Sequence, residues 1–200
     1  MKVALVRAMA GIWECGEGRI IRPGKENFFV MPERPYMAPG TLRELVVRAG
    51  HEHLVSDAQL LAVLHELQLE KVVTRAGGLD IERDWNNILS LDEQHFLVLA
   101  RLLLTAPRFA LLDRIGTALS PSQVEHVLDT LSRNSVTYML VDHGESRVDR
   151  YNAVLDLHEG GSWRWIPLKD GEAVEEGIIS GPKAPMPSES EAPASEAGAR

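Results

Sequence analysis

Two hundred residues, 44% apolar and 25% charged, are enough for one domain with a real core and have the composition of an ordinary globular protein. A net charge of −8 argues against the basic face that nucleic acid needs. The single cysteine, Cys15, rules out an internal disulfide framework and fits a reducing compartment; it reads as a small buried hydrophobe rather than a metal ligand or redox thiol.

The longest apolar run, Phe96 to Leu104, is broken by Arg101, so no segment reads as crossing a membrane. Ala4 to Ile12 is short and carries Arg7, which does not suit a signal peptide. Membrane association is expected only through a partner.

Lys2 to Gly11 reads as a helix with Leu5, Met9 and Ile12 on one side. Gly16 and Gly18 mark a turn, and Arg19–Arg22 and Asn27–Met31 read as strands around a Pro-Gly turn. Pro32, Pro35 and Pro39 impose an extended connection. Thr41, with Glu44 three residues on, caps a short helix over Leu42–Ala49. Ser56 with Gln59, and Ser90 with Glu93, are capping boxes for two further helices. The second presents Phe96, Leu99, Ala100, Leu103 and Leu104 as its buried face and stops at Pro107.

Phe109–Leu112 is an unalternating apolar run, the pattern of a strand covered on both faces. Ser120-Pro121 with Gln123 starts another helix, striped by Val124, Val127, Leu128 and Leu131. Val136–Val141 reads as a second buried strand, and Ala153–Leu157 with Trp163–Ile166 as a hairpin around Gly160-Gly161. Strands alternating with helices predict a parallel α/β sheet. From about Ser180 the chain turns to Pro, Ser, Ala, Glu and Gly, a composition too polar to offset ordering entropy.

Five segments carry a resemblance. AGIWECGEGRI is similar to AGLW…GxGRI, FFVMPERPYMAPGTLRE to FFLPQRPYMxxGTLRE, and GGLDIERDWNNILSLDEQ to GGL…DWxxxLSLGEQ. ARLLLTAPRFALLDRIGTALS is similar to ARLLxxxPxxALLDExTSALD, and DLHEGGSWRW to a closing hairpin. Together, in order from residue 4 to residue 168, they resemble the nucleotide-binding (ATPase) domain of ABC transporters. The nearest subfamily is that of the peroxisomal fatty-acyl transporters and their bacterial peptide- and vitamin-uptake relatives.

The resemblance implies an α/β fold, a P-loop NTPase-like ABC ATPase domain with a parallel sheet and a helical signature subdomain. Residues 1–170 are expected to form it, without its N-terminal strands and phosphate loop; the helical subdomain is expected at about 41–105 and a disordered tail at 171–200. The implied partners are a transmembrane domain or a second ABC ATPase domain. The implied cofactor is MgATP, and the implied place is the cytoplasm, at the cytoplasmic face of a membrane.

Residue by residue, the family's machinery is altered. Lys2 falls where the phosphate-loop lysine stands, but Val3 replaces the Mg²⁺-holding hydroxyl; Lys2 meets a phosphate or is a solvated lysine at a frayed end. Glu33 stands in place of the glutamine that senses Mg²⁺ and water, either as a hard oxygen ligand or as a solvated loop carboxylate. Ser90 of the signature is kept. Asp92 replaces a glycine that approaches phosphate, and a carboxylate ~5 Å from a phosphate oxygen is repelled by roughly 3 kcal/mol at a dielectric of ~20. Asp92 nonetheless suits the dipole of its own helix.

Asp113 keeps the position that holds Mg²⁺ through water. Arg114 replaces the glutamate that polarises the attacking water and cannot act as a base; it either holds a phosphate or pairs with Asp113. Ser120 keeps a helix cap but loses the aspartate charge that crosses the dimer. His143 follows a strand as the family's switch histidine does, to contact a γ-phosphate or to serve structure alone. The other histidines lack metal or triad spacing.

The expected function is that of a non-catalytic ABC ATP-binding-like partner or remnant, with impaired or absent ATP binding and hydrolysis. The alternative is an ATPase subunit whose phosphate loop and membrane domain lie upstream of Met1 or in a partner chain. A generic α/β scaffold with only topological likeness does not account for the PERPY and DW…LSLDEQ strings.

Overall fold

The computed structural model describes residues 2–13, 17–142, 148–158 and 161–181. The chain divides into two compact units, residues 6–144 and residues 1–5 with 145–200. Helix α1 (Lys2–Ala10) contributes to both.

Within the larger unit, α1 is followed by an irregular stretch. Arg19–Arg22, expected as a strand, takes no regular form, and Ile20 and Ile21 are 49% and 82% exposed. Apolar content alone does not make a strand; a paired neighbour does. Strand β1 (Phe28–Met31) comes next, then helices α2 (Leu42–Val46), α3 (Asp57–Glu66), α4 (Glu70–Ala76) and α5 (Leu91–Thr105). The capping boxes at Thr41, Ser56 and Ser90 all form. Helix α2 ends at Val46, short of the expected Ala49, because Val47 is already extended.

Two segments distant in sequence are clamped around α2. Gly40 and Arg83 exchange backbone hydrogen bonds of 3.1 and 2.9 Å, and the buried Trp85 donates its Nε1–H to the Gly40 carbonyl at 2.9 Å. Arg43 forks onto Asp80 at 2.7 and 3.1 Å and reaches Asp57 at 2.6 Å. From α5, Arg101 donates its Nε–H to the Leu45 carbonyl at 2.7 Å. The GTLRE and DIERDW strings are therefore two halves of one structural joint. Through Arg101, the same joint is tied to the helix that follows the signature.

Helix α5 is buried more widely than one stripe: His95, Phe96, Leu97, Val98, Leu99, Ala100 and Leu102 leave solvent, while Leu103 and Leu104 are only half-buried. It feeds, past Pro107, into β2 (Phe109–Asp113). Strand β2 lies between β1 and β3 (Thr137–Val141) in a parallel sheet of order β1-β2-β3. Pairing runs from Phe28↔Phe109 to Met31↔Leu112 and from Phe109↔Thr137 to Asp113↔Val141. Ala110, Leu111 and Leu112 are buried, as their unbroken apolar run requires. Strand β3, expected to be buried, has Thr137 and Met139 exposed, because among the described residues it ends the sheet. Helix α6 (Pro121–Arg133) starts at its Ser120 cap and buries Val127, Leu128, Thr130 and Leu131.

The smaller unit is antiparallel. Strands β4 (Ala153–Leu157) and β5 (Trp163–Lys169) form the expected hairpin, with β5 three residues longer than anticipated; Gly160 of its turn lies outside the described residues. Strands β6 (Glu172–Ala173) and β7 (Ile179–Gly181) both pair with β5. The stretch 171–181, counted with the expected tail at 171–200, supplies these two strands, while the Pro, Ser, Ala and Glu composition begins only at about Ser180. Residues 182–200 lie outside the described residues.

Trp85→Ala is expected to cost about 3–5 kcal/mol by emptying the joint, and Trp85→Phe about 1 kcal/mol by removing one hydrogen bond. Urea unfolding measures both. A Trp85→Ala loss below about 0.5 kcal/mol, the range of an ordinary surface change, would show that the joint does not hold α2.

Candidate functional site

The carboxyl ends of parallel strands are where α/β sheets place their chemistry. Here β1 ends at Met31 and β2 at Asp113, and their adjacent pairing brings the residues that follow each strand to the same edge. Glu33, two residues beyond β1, meets Arg114, one residue beyond β2. The guanidinium contacts the Glu33 Oε2 at 2.5 Å and the Asp113 Oδ1 at 3.3 Å. The three side chains are 27%, 26% and 16% exposed in the order Glu33, Arg114, Asp113, so water screens them only in part.

Arg114 is held in place by its backbone. It sits in the left-handed region (φ 46°, ψ 42°), which a residue with a Cβ adopts at a cost. Its N–H donates to the Val141 carbonyl at 3.0 Å, and its own carbonyl accepts from the Thr117 N–H at 3.1 Å and hydroxyl at 2.9 Å. The strand end therefore aims the side chain back across the β1–β2 edge. Of the two roles weighed for Arg114, the geometry realises pairing with Asp113 and adds Glu33. One oxygen of each acid, Glu33 Oε2 and Asp113 Oδ1, is engaged by the guanidinium, so a divalent ion on these carboxylates would stand beside a resident positive charge.

A second group forms at the start of α5. Ser90 caps the helix, and its N–H donates to the Glu93 carboxylate at 3.0 Å. Asp92 accepts from the Gln123 Nε2–H at 3.1 Å. The Ser90 hydrogen bond, helped by Gln123 and by the backbone N–H groups of Glu93 and Asp92, holds the Asp92 carboxyl below the usual range against the opposing effect of burial. The helix start thus already faces an anion of its own. Burial pushes the Glu93 carboxyl up, but the Arg75 guanidinium at 2.6 Å and the Ser90 N–H outweigh it and bring the group below its ordinary value.

Gln123 escaped the sequence reading except as a cap. Its Oε1 accepts from the Ser120 N–H at 2.8 Å while its Nε2 reaches Asp92, 31 residues earlier in the chain. Only the first of these bonds has a local signal. Ser120 caps α6, and its hydroxyl also lies 3.2 Å from the Ser122 hydroxyl. Lys2 is the first residue of α1, with its side chain outside the described residues; His143 lies outside them entirely. A shallow depression of about 220 Å³ between α3 and α4, lined by Leu61, Leu64, His65, Glu70, Val73 and Thr74, includes none of the candidate residues. Among the described residues no helix is long and apolar enough to cross a membrane, and no group of three or more His, Cys, Asp or Glu is placed to hold a metal.

The sequence that builds these elements is similar to those of known proteins. An uncharacterized ABC transporter ATP-binding protein of Synechocystis is 33% identical over 169 residues, covering 84% of this chain and 26% of that protein. ATP-binding cassette sub-family D member 3 of Mus musculus is 30% identical over 174 residues, with 84% and 26% covered. This chain belongs to the ABC transporter ATP-binding domains of the D subfamily. The lysosomal cobalamin transporter ABCD4 of Mus musculus matches at 31% over 178 residues, 84% of this chain and 29% of that protein. No protein-family model matches the chain. It spans about a quarter of the length of these ABC relatives.

The lowered carboxyls of this ABC domain give its stability a pH dependence. Asp92 and Glu93 lose protons more readily folded than unfolded, so their contribution is fully present above the unfolded carboxylate range, near pH 4, and is lost as pH falls through the lower folded values. Melting temperature should drop across that acid window, and Asp92→Asn should flatten the drop. An unchanged acid limb in Asp92→Asn would remove Asp92 from the account.

Proposed function

We propose that this ABC ATP-binding-like domain is a non-catalytic partner of a transmembrane domain or of a second ATPase domain, with impaired or absent ATP binding and hydrolysis. One observation carries the reading: at the position where the resemblance puts a catalytic base stands Arg114, paired with Glu33 and Asp113. A guanidinium stays protonated and cannot take a proton from water. Asp92 supports the same reading from the other side of the mechanism. Its ionised carboxylate sits at the N-terminus of α5, where a phosphate would need the same N–H groups and would be repelled. Ser90 and Ser120 retain capping, and Lys2 and His143 are the remaining candidates for phosphate contact. The helical part at about 41–105 is proposed as the signature subdomain, and the cytoplasmic face of a membrane as the working place.

A second reading is an ATP-binding subunit whose phosphate loop and membrane domain lie upstream of Met1 or in a partner chain. The span of this chain, about a quarter of its relatives' length, favours keeping it. In that reading the sites touched by Arg114 and Asp92 remain non-hydrolytic, and a partner supplies a competent one.

The purified chain is expected to release no phosphate from MgATP above background and to bind MgATP weakly by calorimetry. Turnover that Arg114→Ala abolishes would overturn the non-catalytic reading. A low-micromolar dissociation constant for MgATP would overturn the impaired-binding part of it.

A further inference from the structure

We propose that Arg114 is a tethered counter-ion that fills the cation position between Glu33 and Asp113 and so excludes a divalent metal from this edge of the sheet. The inference deepens the non-catalytic reading above by assigning the site its own resident charge.

The contacts are those of an occupied cation site. One guanidinium meets a carboxylate from the loop after β1 at 2.5 Å and the carboxylate that ends β2 at 3.3 Å. All three side chains are mostly sheltered, which preserves the attraction and raises the cost of leaving any of them unpaired. The side chain starts from a pinned backbone, bonded to Val141 on one side and Thr117 on the other. It therefore does not need to be drawn from solvent. An incoming dication would have to sit beside a like charge or displace the guanidinium and strand it.

The sequence departures read as one change. Relative to the PQRPY and ALLDE strings of the family, Glu33 adds an anion and Arg114 replaces an anion with a cation. Taken singly, Glu33 looks like an improved metal ligand and Arg114 like a lost base. Taken together across the β1–β2 edge, each provides the other's partner. An arginine suits this better than a lysine, because its planar fork reaches two acids from one stem.

The test is Mn²⁺ binding by the full chain, without nucleotide, followed by electron paramagnetic resonance. Arg114→Gln frees both carboxylates and is expected to bind Mn²⁺ about tenfold or more tightly than the wild type. The double variant Arg114→Gln, Glu33→Gln is expected to return to the wild-type level. Equal binding by wild type and Arg114→Gln, or undiminished binding by the double variant, overturns the proposal. Melting of the wild-type chain covers the case in which Arg114→Gln does not fold. Millimolar Mg²⁺ should leave its melting temperature unchanged, and a rise that Asp113→Asn removes overturns the proposal. ATP turnover by the wild type would sink the non-catalytic reading; the Mn²⁺ titration decides metal exclusion separately.

Discussion

A central parallel strand whose sheet is covered on both faces turns every side chain into the protein, and Phe109–Asp113 lives under that constraint. Its apolar run satisfies it: Ala110, Leu111 and Leu112 are buried between β1 and β3. Everything chemical then follows from where this strand stops. Asp113 is the first residue that can be polar, and Arg114 the first that can turn. The loop after the neighbouring strand, with Glu33, arrives at the same edge. A change in the β1–β2 register by one residue would carry Glu33 about 3.3 Å along the edge relative to Arg114 and take this ion cluster apart.

The strings that identify the D-subfamily ABC domain separate into two kinds. GTLRE and DIERDW are structural: Gly40, Arg43, Asp80, Arg83 and Trp85 bond to one another, and Arg101 ties them to α5. The PERPY, LSLDEQ and ALLDR strings, which the resemblance associates with ligand contact, carry the altered residues. At one, Asp92 brings an internal anion to a helix start; at another, Arg114 brings an internal cation between two acids. In both places the charge is met by partners within the protein.

Local chemistry was the legible part. Thr41, Ser56, Ser90 and Ser120 each announce a helix with an acid or amide three residues on, and each box forms. A cap is decided within one turn, so its signal is complete in the sequence. Strands are different because the partner decides. Arg19–Arg22 has strand-like residues and makes no strand, while 171–181, counted with the expected tail, supplies two. The burial expected of β3 failed for the same reason: its residues are apolar enough, but its position at the end of the described sheet leaves Met139 41% exposed.

The amino-acid sequence alone determined the family, the capped helices, the buried β2 and the identity of each altered position, because all of these rest on residue types at short, fixed spacing. Only the tertiary structure decided what the alterations do to one another. Glu33 and Arg114 are 81 residues apart in the chain, and no spacing rule joins them; the β1–β2 pairing does. Gln123 and Asp92 are joined in the same way, by the approach of two helix starts. Charge is written in the sequence, but the distance that sets its strength is a property of the fold.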